Sequence, residues 1–325
     1  MNFTEILNTK EVTEIILHPD GQLNYEWNGR LLTAEPKIWK DFDQIKKEEF
    51  TSKITAVLPQ APNYESPLCS GIWNGFRVQI IAPPIIDEGL LIQLRRLSKA
   101  RDFEEFQHED WQGTTELTNL LEQKIKFEKS NFMIVGPTGC GKTTLLKSLL
   151  SSFCKEDRVL CLEDTPELPR INTTSTNLKT YNATSEELKD ITLDDLVKAS
   201  LRLRPDRLMM GEMRGEEASS FLLMLSTGHR GSGATLHAHN PQDALRRLEM
   251  LVQMGSPWNL QTVRQLIYSS LDLIITMGRD EKKRRSILKV SELESLEDNG
   301  FLVHHLYEQS LNTTFYKKDS SLIFM

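Results

Sequence analysis

The sequence predicts an α/β protein of two domains: a small mixed α/β unit, then a larger one built on a parallel sheet covered by helices. The chain has 325 residues, more than one small core accommodates at the usual ~100 to 200 residues per domain. Its first hundred residues pair strand-like alternating segments around tight turns. Further on, the short apolar strands FMIV, VLCLED, DRLMMGE, GATLHA and DLIITM are separated by helical stretches, the alternation that a parallel sheet requires.

Residues 12–18 (VTEIILH) and 22–28 (QLNYEWN) flank Pro19-Asp20-Gly21, a hairpin signal because Asp and Gly tolerate the positive φ of such turns. A helix follows over 38–58. Segments 76–84 (FRVQIIAPP) and 90–97 (LLIQLRRL) surround Asp87-Glu88-Gly89, which makes four strands and one helix in residues 1–98. Residues 99–113, KARDFEEFQHEDWQG, are charged and lack alternation. They read as a linker, and the second domain as residues 114–325. Its last two strands, RRSILKVSEL and FLVHHLYE around LEDNG, form a terminal hairpin.

Composition fits a globular chain, with 39% hydrophobic and 26% charged residues. A net charge of −7 argues against a broad nucleic-acid or anionic-membrane surface. The opening MNFTEILNTK lacks the basic and apolar regions of a secretory signal, and no run approaches the ~18 apolar residues of a membrane span, so the expected location is the cytosol. The four cysteines, Cys69, Cys140, Cys154 and Cys161, form no C-x-x-C pair and read as reduced thiols. No nucleic-acid partner is expected.

The segment Gly136, Pro137, Thr138, Gly139, Cys140, Gly141, Lys142, Thr143 fits G-x-x-x-x-G-K-[ST] at every fixed position. It lies between the strand FMIV and a helical run that continues through Thr144. Glycines let consecutive N–H groups face phosphates, and the following helix points its positive end at them. Lys142 is placed to reach β and γ phosphates, and Thr143 to bind Mg²⁺. The expected chemistry is Mg²⁺-dependent hydrolysis of a nucleoside triphosphate.

Ligands of open parallel sheets lie beyond the carboxyl ends of the strands. Three apolar strands end in polar residues there: Glu163 and Asp164, Glu212, and His237. For a single acid, a solvated strand end or helix cap is an equally good reading; three at one edge favour a site. Gly211 stands where many such enzymes have a metal-holding Asp, so the metal shell must be completed differently. Glu212 is read as the base that orients the attacking water and Glu163 as an acid acting on Mg²⁺ through water, or the reverse. His237, in STGHRGSGATLHAHN, is read as a γ-phosphate sensor, with no firm role for His229 or His239.

These blocks resemble the secretion ATPase superfamily that powers type II and type IV secretion and assembles type IV and tight-adherence pili. The similarity rests on GPTGCGKT, CLEDTPEL, LRLRPDRLMMGEMRGEEA and STGHRGSGATLHAHN, with VTEIILHPDG and RVQIIAPPII...LIQLRR in the first domain. It is nearest the type IV secretion and tight-adherence branches, although His239 stands where those usually carry Asn. The resemblance implies a RecA-like motor domain behind the smaller α/β domain, a homo-hexameric ring, and ATP as substrate between the domains. It also implies a location at the inner face of the cytoplasmic membrane, peripheral to it through inner-membrane platform or secretion-machine proteins. Arg77 and Arg95, with Arg96 beside them, match positions that reach the nucleotide in that family. Arg204 and Arg214, with Arg202 and Arg207, are candidates for contact with a neighbouring subunit's nucleotide. Two other readings stay open: a RecA-like nucleic-acid translocase and a nucleotide sensor that does not hydrolyse.

Overall fold

Alternation of apolar and polar residues along the first unit produces an antiparallel sheet in the order β3-β2-β1-β6-β5-β4. Its strands are β1 Val12–Leu17, β2 Leu23–Trp27, β3 Arg30–Thr33, β4 Leu68–Trp73, β5 Phe76–Ile81 and β6 Leu91–Arg96. This is a computed structural model, which describes residues 3–28, 30–35, 44–58, 61–97, 103, 115–183, 189–279, 285–298, 300–309 and 320–322. The chain divides into two units, Met1–Ser98 and Lys99–Met325. Of the stretch 99–113 read as a linker, Phe103 alone is among the described residues.

The first hairpin forms where the turn chemistry sets it. Gly21 has φ +86°, and the Asp20 carboxylate accepts from the Gln22 N–H at 3.0 Å. Ile15, Leu17, Leu23, Val78, Ile80, Ile92 and Leu94 point to one face. Phe3 and Ile6 of α1 (Phe3–Asn8) and Phe50 and Ile54 of α2 (Gln44–Thr55) join them in one core. Glu14, Arg77 and Arg95 lie on the opposite face, side by side in register. A reading of four strands and one helix undercounts this unit. All of β3 is exposed, so it carries no alternation; Ser70-Gly71 interrupts the apolar signal of β4, though not the strand; and α1 is under two turns long. The helix expected over 38–58 is described from Gln44, and residues 38–43 lie outside the described residues.

In the second unit the apolar runs FMIV, VLCLE, RLMM and GATLH are buried almost throughout, as strands covered on both faces must be. The parallel strands are β7 Phe132–Gly136, β8 Val159–Glu163, β9 Thr176–Lys179, β10 Arg207–Met210, β11 Gly233–His237 and β12 Leu273–Arg279. Antiparallel β13 Arg285–Glu297, β14 Gly300–Glu308 and β15 Ser320–Leu322 extend the sheet from β12. The sheet is therefore mixed, in the order β15-β14-β13-β12-β7-β11-β10-β8-β9, and the expected terminal hairpin continues it. Edge strand β9, TNLK, is polar but for Leu178 and gives no sequence signal.

Successive strand residues face opposite layers. Met133, Val135, Leu208, Met210 and Leu236 pack with helices α5 (Leu193–Ser200), α6 (Glu217–Ser226), α7 (Pro241–Met254) and α8 (Leu260–Ser270). Phe132, Ile134, Cys161, Met209 and Ile275 pack with α3 (Thr115–Leu121) and α4 (Lys142–Phe153). Along α4, Leu145, Leu146, Leu149, Leu150 and Phe153 are all buried, the i, i+1, i+4, i+5, i+8 stripe of a helix on a sheet. Each such side chain contributes about 1.5–3 kcal/mol. Caps fix the helix starts: Thr192 and Asp195 make a reciprocal capping box at α5, and Asn240 caps α7 ahead of Pro241. Among the described residues no helix is long and apolar enough to cross a membrane.

At the amino ends of the strands, Arg207 is fully buried. Its Nε donates to Asp157 Oδ2 at 2.6 Å, and Nη1 donates to the carbonyls of Ile125 at 2.7 Å and Gly231 at 3.1 Å. Two loops and the helical turn that holds Ile125 therefore meet on one guanidinium. Gly231 makes room for it, since a Cβ there would lie 2.5 Å from Arg207 Nη1. Removing one partner of a buried pair leaves the other charge uncompensated. We expect Arg207→Met to lower unfolding free energy by about 3–5 kcal/mol in urea titrations; a loss under about 1 kcal/mol would show that the pair behaves like a surface one.

Candidate active site

The glycine-rich loop begins where β7 ends. Parallel pairing with β11 sets His237 opposite Gly136. At Gly136 a Cβ would come within 2.6 Å of both the Met277 carbonyl oxygen and Cys140 Sγ, so a side chain is excluded by close approach. Gly141 has φ +97° and is the N-cap of α4, a backbone state that side chains disfavour. Pro137, Thr138 and Gly139 are exposed, while Cys140 is buried beneath them. Burial pushes the Cys140 thiol up more strongly than the Lys142 charge draws it down, so it packs as a small neutral group. Thr143 and Thr144 follow in the first turn of α4, whose leading N–H groups lack intrahelical partners.

A hydrogen-bonded row crosses three strand ends. Lys142 Nζ donates to the carbonyls of Gly136 at 2.9 Å and Pro137 at 3.0 Å, and lies 3.2 Å from His237 Nδ1. His237 Nε2 lies 3.0 Å from Glu212 Oε1. Glu212 Oε2 accepts from Arg214 Nη2. Burial, then the Lys142 charge, lowers the His237 pKa against the pull of Glu212, so the imidazole is neutral near pH 7. With Lys142 donating to Nδ1, the proton sits on Nε2 and points at Glu212. Burial raises the Glu212 carboxyl, but the Arg214 hydrogen bond and charge, with His237 and Lys142, outweigh it and hold the group below its ordinary value. Burial also lowers the Lys142 pKa, partly offset by Cys140 and Glu212.

Glu212 follows β10 rather than ending it. Its place beside β11 is fixed by the Met213 N–H donating to the Thr235 carbonyl at 2.9 Å and Thr235 Oγ1 donating to the Gly211 carbonyl at 2.7 Å. Glu163 ends β8, separated from β7 by β10 and β11. It is buried, and Oε1 accepts from the N–H groups of Glu167 and Leu168 at 2.9 Å each. Burial pushes its carboxyl up to about 7 against those bonds. Gly211 packs on it; a Cβ there would lie 3.0 Å from Glu163 Cγ. The row thus brings together Lys142, His237 and Glu212, while Glu163 orders the loop after its own strand. A cavity of about 740 Å³ opens beside the row, lined by Gly136, Pro137, Thr138, Arg214 and His237 from the loop side and by Arg246 and Arg247 of α7.

The other candidates separate. Arg77 and Arg95 are directly opposite on β5 and β6, and Arg95 Nε lies 3.6 Å from Glu14 Oε1. Arg96 is structural: it donates to the carbonyls of Leu7, Thr9 and Val12 and stacks 4.4 Å over the Phe76 ring. Arg207 is spent inside its own chain, as described. Arg204 is exposed at φ +52°. His239 is exposed at the cavity rim, and His229 Nδ1 lies 3.3 Å from the Met224 carbonyl oxygen. Sequence reasoning missed the contact of Arg214 with Glu212 in the same chain, and missed Glu217, whose Oε1 accepts from the N–H groups of Arg214 at 2.6 Å and Gly215 at 2.8 Å. The signal was there in GEMRGEE: alternate residues of an extended segment share a side.

The oxygen-rich donor set suits a hard cation such as Mg²⁺, which keeps several waters and takes few protein ligands beside phosphate oxygens. Thr143 would be the direct ligand. Glu163 already accepts amide hydrogen bonds, which suits contact through water. Among the described residues no group of three or more His, Cys, Asp or Glu is arranged to hold a metal alone.

Because Gly136 has no room for a methyl, we expect Gly136→Ala to displace the loop. Binding of a fluorescent ATP analogue should fall at least ~10-fold, the scale of a lost ~1.4 kcal/mol, while the far-ultraviolet dichroism stays native. Unchanged affinity would mean that loop shape does not govern binding.

The sequence pattern of the family described as type II/IV secretion system protein matches residues 58–304. The conjugal transfer protein TrbB of Rhizobium radiobacter is 29% identical over 307 residues, 92% of this chain and 89% of that protein. Protein VirB11 of Rhizobium radiobacter is 29% identical over 300 residues, covering 83% of this chain and 86% of its own. A solved structure of the pilus retraction motor PilT with bound ADP aligns over 94% of this chain and 82% of its own at a TM-score of 0.58 and 18% identity, a likeness of fold. With three quarters of its length inside that pattern and relatives matched nearly end to end, the chain belongs to the type II/IV secretion system protein family.

Proposed function

We propose that this chain is a Mg²⁺-dependent ATP hydrolase, RecA-like in its second unit, that works as a ring of six. It would drive type II or type IV secretion or pilus assembly, including the tight-adherence kind, from the inner face of the cytoplasmic membrane. The observation that carries the hydrolase reading is the row from Lys142 through His237 to Glu212 at the mouth of the glycine loop. The ring, the membrane partners and the location rest on kinship.

With ATP in the loop, Lys142 transfers its hydrogen bonds from the Gly136 and Pro137 carbonyls to β- and γ-phosphate oxygens. The free N–H groups of α4 add charge stabilisation at the same place. Thr143, and Glu163 through water, would hold Mg²⁺, which would supply charge neutralisation at the phosphates. Glu212, ionised and fixed on both oxygens, orients the attacking water. Neutral His237 spans Lys142 and Glu212, so a change in what Lys142 binds is felt at the carboxylate. From the first unit Arg77 and Arg95 supply paired guanidiniums suited to phosphate oxygens, and exposed Arg204 is free to reach a neighbour's nucleotide.

Lys142→Ala should abolish phosphate release with the fold intact, and Glu212→Gln should still bind ATP but turn it over at least ~100-fold more slowly. Normal turnover in either variant would remove that residue from the mechanism. For the first unit, Arg95→Ala should weaken ATP binding or turnover while the second unit stays folded. A monomeric fragment spanning 113–325 with full ATPase activity would refute both the ring and the arginine role.

A further inference from the structure

The segment after β10 is extended, with Gly211 and Met213 buried and Glu212 and Arg214 turned outward. Residues two apart in such a segment lie side by side, and Arg214 Nη2 reaches Glu212 Oε2. The segment is pinned on both sides of the pair. Ahead of it, Gly211 N–H donates to the Leu162 carbonyl at 2.9 Å. Behind it, buried Glu217 accepts the backbone N–H groups of Arg214 and Gly215. A Cβ on Gly215 would lie 3.0 Å from Glu217 Oε2, so that carboxylate packs tightly under the turn.

We propose that Arg214 is a positioning residue acting within its own chain: it holds Glu212 Oε2 while His237 Nε2 holds Oε1, which fixes the plane of the carboxylate that orients the attacking water. This rests on the hydrolase reading above. A carboxylate has about four lone-pair sites. Two taken by fixed donors leave the others aimed in set directions. The Arg214 side chain is 58% exposed, and an ion pair that open contributes little to stability, so its effect is on orientation rather than folding. The charged groups around it agree: Lys142 acts on Glu212 from the loop, and Asp164 and Glu217 act on Arg214. Contact with a neighbour's nucleotide would compete with this bond.

The test compares wild type, Arg214→Ala and Arg214→Lys in steady-state ATP hydrolysis with Mg²⁺. Arg214→Ala should lower kcat roughly 10- to 100-fold, as loss of an outer-shell partner does, and leave KM within about twofold. Arg214→Lys should recover part of kcat, and guanidinium ion at tens of millimolar should restore part of it to Arg214→Ala but not to Glu212→Gln. Mixing Arg214→Ala with Lys142→Ala subunits should bring no recovery. Recovery on mixing would put the guanidinium in a neighbour's site and overturn the proposal, as would a rise in KM with kcat intact. An inactive wild type sinks the hydrolase reading and this one with it. Active wild type with an equally active Arg214→Ala sinks this one alone.

Discussion

The parallel pairing of β11 with β7 is the constraint on which the candidate site depends. That pairing places His237 opposite Gly136, and every later contact is measured from there. Lys142, six residues on from Gly136, folds back over the loop to reach Nδ1. Met213 then pairs with Thr235 on the other side of β11, which carries Glu212 to Nε2. A slip of one residue would turn His237 into the sheet face and leave Glu212 without its donor. Both neighbours of His237, Leu236 and Ala238, are buried, so the hydrophobic pattern itself resists that slip.

Given this register, the charges order themselves. Two cations, Lys142 and Arg214, lie on either side of an imidazole and a carboxylate. Burial pushes the Glu212 carboxyl up, but the Arg214 hydrogen bond and charge, with His237 and Lys142, outweigh it and hold the group below its ordinary value. The same cations disfavour a third positive charge on His237. The imidazole is left as a neutral spacer with a donor toward the acid and an acceptor toward the lysine. Its two nitrogens are fixed in role by neighbours on different elements, Lys142 at the start of α4 and Glu212 after β10, and a single amide or hydroxyl cannot span them in the same way. Glu163 meets the opposite fate. Packed against Gly211, it is governed by burial, which outweighs the Lys147 charge and two backbone hydrogen bonds, and those bonds are made with the chain that follows it.

Much of this was legible in the sequence because the local signals and the global fold agree. FMIV, GPTGCGKT and the helical run after it are strand, loop and helix in the order read, and five of the six parallel strands lie where the apolar runs predicted. The elements missed are those whose signals are weak for physical reasons. Edge strands β3 and β9 face water, so no apolar period is imposed on them, and the apolar signal of β4 is interrupted at Ser70-Gly71 although the strand itself is continuous. The candidate residues at strand ends were visible because polar residues closing apolar runs are conspicuous. Their division was not. The sheet order puts β10 and β11 between Glu163 and the glycine loop, and strand order is a long-range property that spacing along the chain does not carry. Arg214 was read as a candidate for contact with a neighbour's nucleotide; its bond to Glu212 was not visible, because it depends on the backbone bonds of Arg214 and Gly215 to Glu217.

The first unit poses the converse case, in which a local rule is broken on the face of a sheet. Arg77 and Arg95 are directly opposite on adjacent antiparallel strands, an arrangement that costs stability when both carry charge. Glu14 offsets it from one side, at 3.6 Å from Arg95. Arg96, one residue on, shows what an arginine kept for the fold does here: it faces the other way, ties three carbonyls of the N-terminal segment and covers Phe76. The strand could have carried a polar neutral residue at position 95 and kept its outward face wet. A second guanidinium across from the first gives the outward face of β5 and β6 a paired positive charge, and paired guanidiniums match the oxygens of an anion in a way that a neutral side chain does not.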